Sequence, residues 1–74
     1  MKWNIRTEYE SFEIYKKEDF YFLLKDNSFY ELGKISVFRE YMMSYFTIHR
    51  YDNLSVNGKL IRTEEELLEH FAKK

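Results

Sequence analysis

The absence of cysteine from a chain of 74 residues closes both usual supports of so small a domain, disulfides and thiolate zinc sites. Below about 80 residues an unaided hydrophobic core supplies only a few kcal/mol. Stability must therefore come from rings, and the chain holds one Trp, seven Tyr and seven Phe, each able to bury a large area. Such rings are also enriched at interface cores. A small domain with a surplus of them is expected to bind a partner or to dimerise.

Charge narrows the partner. Twelve cationic and thirteen acidic side chains are interspersed, for a net charge of −1. That balance argues against the basic footprint of a nucleic-acid binder, and no nucleic acid is expected. Rings on a sheet could stack single-stranded bases, but that function also needs a basic groove. The longest apolar run is five residues, Phe20 to Leu24, too short to span a membrane. The start, Met1-Lys2-Trp3-Asn4, lacks the apolar region of a signal peptide. A single cytoplasmic domain covering residues 1–74 is expected.

Local patterns suggest the elements. Thr7-Glu8-Tyr9-Glu10 has the form of a capping box, which favours a helix to about Lys17 with Tyr9, Phe12 and Tyr15 on one face. The alternation of Phe12 and Ile14 allows a strand instead. Phe20 to Lys25 reads as a central strand, apolar on both faces, followed by a turn at Asp26-Asn27-Ser28. Tyr30 to Phe38 reads as a second strand, with Gly33 at a bend. Ile35, Phe38, Met42, Tyr45 and Phe46 would suit a helical face, but β-branched and aromatic enrichment tips Met43 to Arg50 toward a third strand. Leu54-Ser55-Val56 and Lys59-Leu60-Ile61 flank Asn57-Gly58, the favoured two-residue hairpin turn. Thr63, with Glu66, caps a final helix that buries Leu67, Leu68 and Phe71, with Lys73 and Lys74 suiting its C-terminal dipole. The expected architecture is α+β: a central three-stranded antiparallel sheet with a short hairpin, flanked by an N-terminal and a C-terminal helix.

In this order the pieces resemble a Src homology 2 domain, a phosphotyrosine-binding module. Trp3 precedes the candidate helix, and Phe22 to Asn27 reads F-L-L-K-D-N where that family has F-L-V-R-E-S. Ile35-Ser36-Val37 matches its next strand, and Tyr45-Phe46-Thr47-Ile48 matches its third. Leu54-Ser55-Val56 and the segment Glu64 to Phe71 match its later strand and closing helix. The likeness spans roughly residues 3 to 72. It implies a phosphate pocket around Lys25, which stands where the family has arginine. Lysine is a point charge without the planar fork, so the exchange is not conservative. Arg6, Asn27 and Ser28 would assist, and Tyr45, Phe46 and Tyr51 would floor a peptide groove.

No reaction is signalled. His49 and His70 have no second ligand at metal spacing, and two glycines far apart make no phosphate cradle. No cofactor and no metal are expected. The functional expectation is a non-enzymatic module that binds a protein or peptide, tyrosine-phosphorylated or not. The alternative is a small inhibitor or adaptor that meets a protein partner, or a second copy of itself as a homodimer, through an aromatic surface without reading phosphate.

Overall fold

The structure is a computed structural model that describes residues 1–72; the expectation for Lys73 and Lys74 lies outside them. Four strands come first: β1 (Lys2–Arg6), β2 (Ser11–Lys17), β3 (Phe20–Lys25) and β4 (Ser28–Gly33). Helix α1 (Ile35–His49), the short hairpin β5 (Ser55–Val56) and β6 (Lys59–Leu60), and helix α2 (Glu64–Ala72) follow. All six strands form one antiparallel sheet in the order β4-β3-β2-β1-β5-β6. Among the described residues no helix is long and apolar enough to cross a membrane.

This corrects the expected three-stranded sheet flanked by two helices. The sheet has twice as many strands, and both helices lie on the same face. Residues 11–17 form a strand rather than a helix, paired with β1 on one side and β3 on the other. The capping-box residues do familiar chemistry in a different place. Thr7 Oγ1 accepts hydrogen bonds from the N–H of Tyr9 and of Glu10, both at 3.2 Å, and Thr7 N–H donates to the Glu10 carbonyl at 2.9 Å. The result closes a hairpin loop, because Ser and Thr hydroxyls support turns as readily as helix starts.

The expected strands over 30–38 and 43–50 are corrected as well. β4 ends at Gly33, whose φ of +104° suits a residue without Cβ. The chain then enters α1, which covers the second segment up to His49, with Arg50 as its C-cap. Phe38, Met42, Tyr45 and Phe46 form its buried stripe, so Phe46 lies on a helix and not in mid-strand.

Turn chemistry determines the remaining register. Asp26 and Asn27 both have positive φ, as do Asn57 and Gly58, the requirement of two-residue type I′ hairpins. The second hairpin is docked on β1. Asn57 N–H donates to the Asn4 carbonyl and Asn4 N–H donates to Asn57 Oδ1, each at 2.8 Å. At α2, Thr63 Oγ1 accepts from Glu66 N–H at 3.2 Å, and Glu66 Oε1 accepts from Arg62 N–H at 3.1 Å.

The core lies between the helices and one face of the sheet. Trp3, Ile5, Phe12, Ile14, Tyr21 and Leu23 point from the strands into it. The rings of Tyr21 and Phe38 stack with centroids 4.0 Å apart, and Phe71 meets Phe38 edge-on at 4.7 Å and Trp3 at 5.1 Å. Four elements thus share one aromatic cluster. Replacing Phe38 with Ala should cost about 3–5 kcal/mol, close to the whole stability of a domain this small. Urea denaturation of Phe38→Ala reads the cost directly, and a loss under about 1 kcal/mol would show that the cluster is not the core.

Candidate functional site

Strand alternation gives the sheet two unlike faces. The residues between the buried ones, including Asn4, Arg6, Ser11, Glu13, Tyr15, Phe22 and Leu24, point to the side that no helix covers. On the β2–β3–β4 half this open face is aromatic. Tyr15 and Phe22 are cross-strand partners, Phe29 stacks on Phe22 at 5.6 Å, and Tyr15 meets Phe29 edge-on at 5.9 Å. Phe29 is 61% exposed and Phe20 39% exposed. On the β1–β2–β5 half the face is polar and concave, a hollow of about 780 Å³ bordered by Asn4, Arg6, Ser11, Glu13, Asn27 and Ser55.

The two halves are joined at Glu13. Its carboxylate accepts from the Tyr15 hydroxyl at 2.9 Å and lies 3.2 Å from Lys2 Nζ. These contacts hold the Glu13 carboxyl below its ordinary value, the Tyr15 bond contributing most, and raise the Tyr15 hydroxyl. Arg6 projects into the hollow and makes no ion pair among the described residues.

Lys25 does not meet that hollow with its charge. Its ammonium donates to Glu10 Oε1, and Tyr45 donates to Glu10 Oε2 at 2.7 Å. This triad ties the β1–β2 loop to the end of β3 and to α1, on the helix side of the sheet. The Lys25 hydrogen bond, followed by that of Tyr45, lowers the Glu10 carboxyl, and Glu10 in turn raises Lys25. Burial, reinforced by Glu10, pushes Tyr45 well above its ordinary 10.0. Next to it, His49 stacks obliquely on Tyr45 with centroids 4.3 Å apart and places Nδ1 3.0 Å from Asp52 Oδ2.

Of the four residues expected around an anion, Arg6, Lys25 and Asn27 border the same hollow and Ser28 does not. The Lys25 ammonium is held by a carboxylate of its own chain. Tyr45 and Phe46 are buried on α1, whereas Tyr51 is 83% exposed beyond it, under the guanidinium of Arg50 at 5.0 Å. The three do not share a groove. The open-face rings were missed, although Phe20, Phe22 and Leu24 alternate with the buried Tyr21 and Leu23 in the sequence itself. Among the described residues no group of three His, Cys, Asp or Glu side chains is placed to hold a metal ion.

Compared with known proteins, the chain matches no family model, no curated protein and no solved structure. Nothing in those comparisons identifies a Src homology 2 domain.

The triad predicts a pH dependence. A carboxylate whose pKa is lowered in the folded state contributes stability above its unfolded value and loses it as pH falls through the folded one. Stability should therefore drop as pH falls below the ordinary 4.5 of Glu10. In Glu10→Gln this acid loss should be smaller, leaving the part due to Glu13. Denaturation midpoints from pH about 6 to about 2 check this; equal acid slopes for the two proteins would show that Glu10 is not coupled to the fold.

Proposed function

We propose that this protein is a non-enzymatic, cytoplasmic interaction module that docks a protein partner on the open face of its sheet. The ring cluster of half-buried Tyr15 and Phe22 and exposed Phe29, on the face no helix covers, carries this reading. A sheet face without a covering layer normally turns polar residues to water. Here one half is aromatic out to the β4 edge and the other half is polar and charged, an apolar patch with a polar flank of the kind interfaces use. Aromatic anchors in such a patch supply most of the binding energy.

The chemistry of the partner follows from the same face. An apolar side chain would seat against Phe22 and Phe29. A carboxylate would meet Arg6, three strand spacings or about 14 Å from β4. Glu13 is already engaged by Tyr15 and Lys2, so Arg6 is the uncommitted cation of the hollow, which Asp26 also borders. The occupant is a protein surface that is apolar at its centre and acidic on one flank.

Phosphotyrosine reading has weaker support. A phosphate arriving at Lys25 would have to displace Glu10, and Arg6 faces the other side of the sheet. That exchange would give up a charge-assisted bond before making a new one.

The test is reconstitution. Proteins recovered on wild-type bait would be purified and titrated by calorimetry against wild type and Phe29→Ser. Binding should weaken by at least about tenfold for Phe29→Ser, weaken further with Arg6→Ala, and ignore phosphatase treatment of the partner. Equal affinity for wild-type and Phe29→Ser, or loss of binding after phosphatase, would overturn the proposal.

A further inference from the structure

We infer that two copies of this chain pair through β4, edge to edge, to form a continuous sheet about a two-fold axis at Tyr30. The two edges of the sheet are not alike. β6 is two residues long and begins with Lys59, the usual blunting of an edge. β4 runs for six residues, Ser28–Gly33, with no proline or lysine, and Ser28 to Glu31 are exposed. Its irregularity is confined to the far end, where register shifts between Tyr21 and Phe22 of β3 and leaves Leu32 as the extra residue. The segment before it is a regular template with unused backbone groups.

The turn fixes which groups are unused. Lys25 and Ser28 flank a two-residue turn and form its closing hydrogen-bonded pair. Alternation along an antiparallel ladder then directs the N–H and C=O of Ser28 and Tyr30 toward β3, and those of Phe29 and Glu31 outward. A two-fold axis at Tyr30 places Phe29 of one copy opposite Glu31 of the other, so all four outward N–H groups meet outward carbonyls. Tyr30 faces its own symmetry mate as a non-hydrogen-bonded pair.

The axis is perpendicular to the sheet, so both open faces look the same way. Phe29 and Phe22 of each copy then flank the junction, with Glu31 of each copy set beside the other copy's Phe29 on the same open face. A strand pairing this short belongs to the small, concentration-dependent class of interfaces. The pairing does not depend on the proposed partner, which docks on a face that the dimer leaves open.

Sedimentation velocity over a wide concentration range gives the mass. Wild type should rise from 9.3 kDa toward twice that value. Glu31→Pro removes one outward N–H that β3 does not use, and should stay at the monomer mass with an unchanged circular dichroism spectrum. A second variant keeps the idea testable should that one fail to fold. In an antiparallel non-hydrogen-bonded pair the Cα atoms lie about 4.5 Å apart, within disulfide reach. Tyr30→Cys should therefore crosslink to a dimer, with oxidised glutathione taking the two electrons. It should do so at least about tenfold faster than Tyr9→Cys, a control on the β1–β2 loop that is the more exposed of the two, 76% against 53%. A wild type that remains monomeric throughout, or equal crosslinking rates for the two variants, would overturn the inference. Partner binding retained by monomeric Glu31→Pro would separate this result from the fate of the proposed function.

Discussion

The stack of Tyr21 on Phe38 is the contact on which the rest of the molecule depends. It joins the third strand to the first helix, and through Trp3 and Phe71 it draws in the first strand and the second helix. Without cysteines to form disulfides, a chain of this size needs a few large apolar contacts shared by as many elements as possible. Placing both helices over one set of rings achieves that. The consequence is geometric: a domain with two helices can seal only one face of a six-stranded sheet, and the other is left to water or to a partner.

That division organises the polar groups too. On the covered side, Lys25, Glu10 and Tyr45 satisfy one another at the margin of the core, where an unpaired charge would be costly. On the open side, Glu13 is engaged at the boundary between the aromatic and polar halves and Arg6 is left uncommitted. The lysine that draws attention in the sequence is therefore a structural clasp. The rings that carry the proposed function lie on neighbouring positions of the same strands, turned the other way.

Much of this was legible where local chemistry has one solution. Asn57-Gly58 permits little except a tight hairpin, and Thr63 with Glu66 closes the start of α2 as its motif requires. Residues 20–25 show their strand in their composition. The errors arose where local chemistry has two solutions. Thr7 and Glu10 make hydroxyl-to-amide bonds that serve a hairpin loop as well as a helix start, and only pairing with β1 and β3 decides between them. Helix α1 hid for a different reason. Its N-cap, Lys34, makes no side-chain cap, and Ile35, Val37 and Ile48 expose apolar surface on its outer side. Its periodicity is blurred and its β-branched residues mimic a strand. The open aromatic face escaped notice because a strand apolar on both sides implies two covering layers, and here only one is present.

The central claim is that one face of the sheet is sealed by rings and the opposite face presents rings to solvent. Hydroxyl-radical footprinting of the dilute native protein, read by mass spectrometry, measures this residue by residue. The account predicts rapid modification of Phe29 and Phe20, with Tyr21 and Phe38 protected until the protein is unfolded. Protection of Phe29 equal to that of Phe38, or modification of Tyr21 in the native state, would contradict it.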